Sequence, residues 1–355
     1  MKKLIKNFSL EELRNYFLEI GEKPYRADQI FNDIFLNKKS SFSELTNIPK
    51  ALADRLAQDF EIDSIESAKD KKSMDGAVKF LFELKKGGAI ETVVMPSTTK
   101  EGFTICVSSQ SGCAFGCAFC ATGTLGFLRH LEPSEIIDQI IFAERFTQTK
   151  VSNIVFMGMG EPLHNFENVF KAINIITGKK TKLLSEKRIT LSTIGIPEKI
   201  IKLSQIEHPP KLAISLHATT DAARAEIIPV AKKYKIKEVM DSAEQYYRTT
   251  GMPVTFEYIL FSGLNDTELD VRRLSKFTKR FPSKVNLIPF NDVSFVHKDE
   301  KSRRLKPCTK AEMEQFSNNL RNAGVVAIVR KTMGSDSYAA CGQLAFDGLK
   351  QDSLR

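Results

Sequence analysis

The chain has 355 residues, 42% hydrophobic and 27% charged, enough for one large α/β domain plus a smaller one around a real core. No apolar run approaches the roughly 20 residues of a membrane helix, and the basic start Met1-Lys2-Lys3-Leu4-Ile5-Lys6-Asn7 lacks the apolar stretch of a secretion signal, so a cytosolic protein is expected. The net charge of +9 favours a polyanionic partner, of which nucleic acid is the common one.

Residues 1 to 60 read as helical. Ser9 and Glu12 form a capping box ahead of Leu13, Phe17 and Ile20. Ile30, Phe31, Ile34 and Phe35 mark a second helix, and Pro49 opens a third with Leu52 and Leu56. Ala77–Leu84, the turn Lys85-Lys86-Gly87-Gly88 and Ile90–Met95 form a hairpin signature. Pro96 to Gly102 reads as a linker.

Beyond it, strand and helix alternate. Apolar runs at 103–107, 153–157, 188–192, 211–216, 254–260, 284–288 and 325–329 enclose helical patterns at 134–147, 166–177, 197–204, 236–248, 266–280 and 309–322. This order implies α/β architecture with a parallel sheet, as a partial or full barrel whose chemistry sits at the C-terminal strand ends. An open doubly wound sheet is the alternative. The expected divisions are 1–97, a helical plus β-hairpin accessory domain and candidate RNA binder; 98–330, the barrel; and 331–355, a C-terminal loop.

Six cysteines stand at 106, 113, 117, 120, 308 and 341. Cys113, Cys117 and Cys120 crowd into eight residues, which is metal spacing rather than disulfide spacing. The pattern is C-x3-C-x2-C, with no fourth cysteine nearby. Four thiolates normally complete a [4Fe–4S] cube, so three would leave one iron a free position. A zinc site would want a second C-x2-C pair or histidines at matching spacing, and none is present. Gly112, Ala114, Gly116 and Ala118 suit a loop wrapped closely around a cofactor.

This motif resembles that of the radical S-adenosylmethionine (SAM) enzymes. Further segments narrow the likeness: Cys106-Val107-Ser108-Ser109-Gln110, Met157-Gly158-Met159-Gly160-Glu161-Pro162-Leu163, Leu191-Ser192-Thr193-Ile194-Gly195, Ser215-Leu216-His217-Ala218, Asn286-Leu287-Ile288-Pro289-Phe290-Asn291 and Ala339-Ala340-Cys341-Gly342-Gln343-Leu344. In order along nearly the whole chain, they resemble RlmN-type adenine methyltransferases. The resemblance implies a radical SAM barrel with a [4Fe–4S] cluster and SAM as cofactors. It implies methylation of adenine carbon-2 in 23S rRNA and tRNA, with two SAM per turnover. It also implies an electron donor such as a flavodoxin or ferredoxin, and a monomer.

Carried onto this chain, the resemblance gives Cys113, Cys117 and Cys120 to the cluster. Gly160 and Glu161 would hold the amino group of SAM, and Ser192, Ser215, Leu216, His217 and Asn291 would line the rest of its pocket. Cys341 would carry the methyl as S-methylcysteine, Cys106 would resolve the RNA adduct by a transient disulfide, and Glu91 would accept the ring proton. The chemistry wants such a set. Carbon-2 is electron-poor and attacks no sulfonium methyl, whereas a thiolate does. Cys308, beside Pro307, reads as a spectator.

Lys179-Lys180 with Lys182, Lys187-Arg188, Lys232-Lys233 with Lys235 and Lys237, Lys301 with Arg303-Arg304 and Lys306, and Arg330-Lys331 are candidate phosphate contacts. Two places depart from the family pattern: Ser337-Tyr338 before Ala339-Ala340-Cys341, and Ala327-Ile328-Val329-Arg330-Lys331. Both bear on substrate choice. The alternatives are the carbon-8, Cfr-type branch, against which Pro162 and Pro289-Phe290 speak, and a non-catalytic iron–sulfur RNA-binding module.

Overall fold

A computed structural model describes residues 2–97, 102–181, 183–297 and 299–346. Three N-terminal helices come first: α1 (Leu10–Glu19), α2 (Tyr25–Phe31) and α3 (Lys50–Asp59). The Ser9–Glu12 capping box closes both ways at the start of α1. Helix α2 runs on into a π-turn over Asn32–Leu36, which turns Ile34 and Phe35 into the core. Of the residues predicted to face inward, Leu13, Phe17, Ile30, Phe31, Ile34, Phe35, Leu52 and Leu56 are buried, and Ile20 is half-buried.

One sheet of ten strands organises the rest. It comprises β1 (Ile65–Lys72), β2 (Val78–Leu84), β3 (Ala89–Pro96), β4 (Phe103–Cys106), β5 (Val151–Phe156), β6 (Ile189–Thr193), β7 (Lys211–Ser215), β8 (Val254–Leu260), β9 (Ser283–Pro289) and β10 (Ala327–Val329). Neighbours in space are neighbours in sequence throughout. Strands β4 to β10 are parallel and β1 to β4 antiparallel. Among the described residues β1 and β10 are not paired to each other, so the curved sheet is a partial barrel rather than a closed one or a doubly wound sheet.

Helices α4 (Pro133–Thr147), α5 (Phe166–Thr177), α6 (Pro197–Ser204), α7 (Asp221–Ile227), α8 (Ile236–Thr250), α9 (Glu268–Thr278), α10 (Glu300–Arg304) and α11 (Lys310–Asn322) occur between the parallel strands. The inner strands read as continuous apolar runs because helices cover their outer face. Ile140, Val169, Leu203, Val239 and Leu274 each show no measurable exposure.

The N-terminal hairpin strands β2 and β3 continue the barrel sheet through the β3–β4 pairing, Val93 opposite Cys106 and Val94 opposite Ile105. The main apolar core includes residues from Ile5 to Leu344, with a smaller cluster around Cys117, Ile228 and Phe261 beside the site. Lys6, fully buried, binds Asp63 at 2.6 Å and also Asp138 on α4, which fastens the N-terminus to the barrel. Part of the expected linker, residues 98–101, and the end of the expected C-terminal loop, residues 347–355, lie outside the described residues. Among the described residues no helix is long and apolar enough to cross a membrane.

Candidate active site

The strand ends converge on a cavity of about 860 Å³, open mouth included. Met157, Gly158, Gly160 and Glu161 follow β5; Ser192, Thr193 and Ile194 lie at the end of β6; Ser215 and His217 at the end of β7. Glu257 and Ile259 of β8, Ile288 of β9 and Arg330 after β10 complete the strand side. Cys113, Cys117 and Cys120 enter from the loop after β4, and Cys341 from the C-terminal loop.

The three-cysteine loop is clamped at its neck by a short hairpin, Gln110–Gly112 against Phe127–His130. The Cys113 amide donates to the Gly126 carbonyl at 2.8 Å. Gly112 has φ +74°, and a Cβ there would fall onto the Gly126 carbonyl oxygen, so only glycine fits. Within the loop the thiols sit close enough to bear on one another's charge, and burial pushes all three up: Cys113 to about 12, Cys117 well above its usual value, Cys120 upward. Buried thiols held side by side become thiolates only when a soft metal takes them. Among the described residues no three metal-binding side chains converge on a single ion. Three thiols presented to one cavity by a single loop suit a cube, whose irons each take one thiolate.

Glu161 is 3% exposed. Its Oε1 accepts the Leu163 amide at 3.0 Å and its Oε2 the Ile194 amide at 2.8 Å. Burial pushes its carboxyl up to about 7. The Glu161 amide donates to Gln110 Oε1 at 2.9 Å, which ties the strand end to the cluster loop's neck. His217 has φ +54° and its Nδ1 accepts the Ile259 amide at 3.0 Å. Burial, reinforced by Arg224, pushes it down to about 3, so the ring is neutral with its proton on Nε2.

Arg224 was not legible in the sequence. It shows no measurable exposure, yet it carries a charge. Its guanidinium donates to the carbonyls of Leu216 and Ser215, each at 3.2 Å, and of Ile194. One side chain thereby ties together the ends of β6 and β7 where the cavity wall forms. Burial lowers it to about 10, and its charge bears on Cys117. Leu216 itself is fully buried and contributes backbone, not cavity lining.

A second chamber adjoins the first. Cys106, Asn291, Arg330 and Cys341 line it, and Arg330, Met157, Ile288, Cys341 and Gly342 line both. Burial, with Cys341 nearby, pushes the Cys106 thiol up to about 12. Cys341 is an exposed residue whose thiol is drawn partly out of water, which raises it, while Arg330 pulls it down. Asn291 lies in this chamber, apart from the cavity lined by Ser192, Ser215 and His217, and donates to the Cys341 carbonyl at 3.1 Å. All six cysteines are free thiols, and Cys308 is outside both chambers.

The Cys341 loop is docked on the cluster loop. The Ala121 amide donates to the Gly342 carbonyl at 2.6 Å, and Thr122 Oγ1 to the Leu344 carbonyl at 2.7 Å. On its other side the loop meets the N-terminal hairpin. There Glu91, 1% exposed, pairs with Lys79 Nζ at 2.9 Å and accepts the Phe346 amide at 3.2 Å. The departure Ser337-Tyr338 resolves into two environments: Ser337 is buried, and Tyr338 packs its ring on Phe295, centroids 4.7 Å apart.

Residues 107–274 match the Radical SAM superfamily, and residues 4–62 match the ribosomal RNA large subunit methyltransferase N-terminal domain. A protein of Clostridium perfringens (strain SM101 / Type A), named probable dual-specificity RNA methyltransferase RlmN, is 41% identical over 99% of both chains. The chain belongs to the RlmN family. Another relative of the same name, from Thermotoga sp. (strain RQ2), is 40% identical over 99% of this chain and 100% of its own. A crystal structure of a radical SAM methyltransferase from Sphaerobacter thermophilus superposes with TM-score 0.90 at 34% identity, covering 96% of this chain and 99% of the other. As a member of the radical SAM superfamily the chain is an enzyme that uses a [4Fe–4S] cluster and SAM.

The basic clusters divide. Lys180 pairs with Asp28 at 2.9 Å, Lys237 with Asp241 at 2.8 Å, and Arg304 with Glu300. Arg330 faces inward to both chambers. Lys182 lies outside the described residues.

Proposed function

We propose that this chain methylates carbon-2 of an adenine in 23S rRNA, and of an adenine in tRNA, through an S-methylcysteine at Cys341. The observation that carries the reading is the position of Cys341 in the wall between two chambers. One is lined by the three-cysteine loop, the other by Cys106. A thiol so placed can take up a carbon on one side and give up its sulfur to another thiol on the other.

Cys113, Cys117 and Cys120 would hold the cluster. Gly160, Glu161, Ser192, Ser215 and His217 would bind SAM, with Asn291 fixing the backbone at Cys341 instead. When bound, cluster and SAM would supply the one-electron chemistry needed to remove hydrogen from the sulfur-borne methyl. Cys341, as thiolate, first displaces the methyl from a sulfonium. Once its carbon is joined to the ring, Glu91 takes the ring proton, and the odd electron left on the ring would return to the oxidised cluster. Cys106 then attacks the Cys341 sulfur: a sulfur–sulfur bond forms, the sulfur–carbon bond breaks, and the released carbon takes up a proton. A cellular thiol reductant reopens the disulfide. Burial keeps Cys106 a thiol until that step, which limits premature oxidation.

The accessory segment 1–97 would position RNA, and exposed lysines would meet phosphates. The target base would be splayed from its stack to reach the cavity. The enzyme works in the cytosol as a monomer, with a flavodoxin- or ferredoxin-like donor. Mass spectrometry of 23S rRNA and tRNA from cells lacking the protein tests this. Loss of 2-methyladenosine, restored by the gene, is expected. Loss of 8-methyladenosine instead would assign the chain to the carbon-8 branch.

A further inference from the structure

The chemistry above leaves unused a buried ammonium beside its proton acceptor. Lys79 lies on β2, its side chain 5% exposed, opposite Val93 of β3. Its Nζ lies 2.9 Å from Glu91 Oε1 and donates to the Tyr338 carbonyl at 3.1 Å. The other Glu91 oxygen accepts the Phe346 amide. Both members of the pair therefore bridge from the hairpin to the loop that carries Cys341. Other contacts fasten the same two segments. Asp75 accepts the Gly334 amide at 2.8 Å, and Asp336 accepts the Met74 amide at 3.0 Å and the Ser73 hydroxyl.

A buried carboxyl without a counter-charge takes up a proton, and a protonated carboxyl cannot accept another. Lys79 is the charged group facing Glu91. The other elements packed against Glu91 present Ser108 and Met159 and the amides of Ala345 and Phe346, none of which titrates. On β4 the titratable group is Cys106, paired in register with Val93 rather than with Glu91. Removing Lys79 would leave burial unopposed except by two loop amides.

We propose that Lys79 is a positioning residue that keeps Glu91 an aligned carboxylate and ties that state to docking of the Cys341 loop. This rests on the reading of Glu91 as proton acceptor. Of the groups that favour the carboxylate, the two amides belong to the loop, and Lys79 spends its other bond on the loop. Docking thus brings up the sulfur-borne carbon and completes the base together. In the step served, the ring C–H bond breaks, its electron pair stays with the ring, and the proton passes to a Glu91 oxygen. The pair's negative charge is then gone from Glu91, and Lys79 remains held by the Tyr338 carbonyl.

The test compares reconstituted wild type with Lys79→Met, Lys79→Gln and Lys79→Arg, reading the pH profile of RNA methylation at saturating RNA. S-methyl occupancy of Cys341 is read alongside by mass spectrometry. Lys79→Gln keeps a donor for the Tyr338 carbonyl without the charge, so it guards against a folding defect in the methionine variant. Met and Gln variants are expected to load Cys341 normally and to lose about tenfold activity at pH 7. Their acidic limb should move up by about one pH unit, since tenfold in protonation is one unit. Lys79→Arg should restore the wild-type limb. An equal loss at every pH, or no loss, would overturn the proposal. Full activity in Glu91→Gln would overturn the reading of Glu91 itself.

Discussion

The Arg330 guanidinium lies 3.5 Å from the Glu257 carboxylate, in the wall that separates the two cysteine chambers. Glu257 Oε1 accepts Asn286 Nδ2 at 3.0 Å, while Oε2 has no hydrogen-bond partner and depends on Arg330 for compensation. Burial raises Glu257 and Arg330 lowers it. Arg330→Met should therefore destabilise the iron-free protein by about 2 kcal/mol, between the values for exposed and buried pairs, because the arginine is partly exposed. Adding Glu257→Gln should recover most of that loss. Urea denaturation of the three variants measures it, and an unchanged midpoint in Arg330→Met would show the pair to be neutral.

Glu161 gives a pH dependence with a definite sign. Burial raises its carboxyl from 4.5 to about 7 in the folded chain. The folded state thus binds the proton more tightly than the unfolded one. This contribution to stability is fully present below about pH 4.5 and is lost as pH rises towards 7. Comparing wild type with Glu161→Gln in the iron-free state isolates it. Wild type should lose about 2–3 kcal/mol relative to the variant between pH 5 and pH 8. Parallel curves would mean that the carboxyl is no harder to ionise folded than unfolded.

Much of the fold is readable from the sequence, and what is not has two physical causes. The seven parallel strands and six long helices announced themselves by apolar runs and by 3.6-residue spacing, and the cluster loop by three thiols within eight residues. Strand β1, Ile-Glu-Ser-Ala-Lys-Asp-Lys-Lys, lies in a stretch, 61–95, that reads as β-rich, but its bounds are not marked, because an edge strand exposed over most of its length has no alternation to display. Lys79, Arg224, Glu257 and the environment of Glu91 were invisible for another reason. A charged residue reads as solvated until its partner is known, and Lys79 meets Tyr338 across 259 positions of sequence. Of the residues named by likeness, Gly160, Glu161, Ser192, Ser215 and His217 line one cavity, whereas Asn291 lines the adjoining chamber and donates to the Cys341 carbonyl.

Docking of the Cys341 loop can be broken without touching a thiol. Gly342 has φ +86°, and a Cβ there would stand 2.8 Å from the Phe119 carbonyl oxygen. Gly342→Ala should spread the loop from Ala121 and Thr122, expose it to limited proteolysis and lower methylation at least about tenfold, a barrier change of roughly 1.4 kcal/mol. Iron and sulfide content should stay at the wild-type level. A fully active Gly342→Ala would show that loop position is not limiting.

The thiols should separate into two classes by metal content. Anaerobic reconstitution of Cys117→Ala should give little iron and sulfide. Cys106→Ala and Cys341→Ala should reach the wild-type ratio, near the four irons and four sulfides of a cube. Because Cys341 lines the same cavity as the three loop cysteines, its variant is the informative one. Loss of iron there would make Cys341 a ligand rather than a carrier.

The most direct measurement follows the carbon itself. Anaerobically reconstituted protein is given SAM labelled in its methyl group, and the Cys341 peptide is weighed before and after unmodified RNA is added. Label should appear on Cys341 first, then leave it and appear at carbon-2 of adenine, with Cys341→Ala transferring none. Labelled adenine formed by Cys341→Ala, or formed while Cys341 is never labelled, would contradict a cysteine-borne carbon.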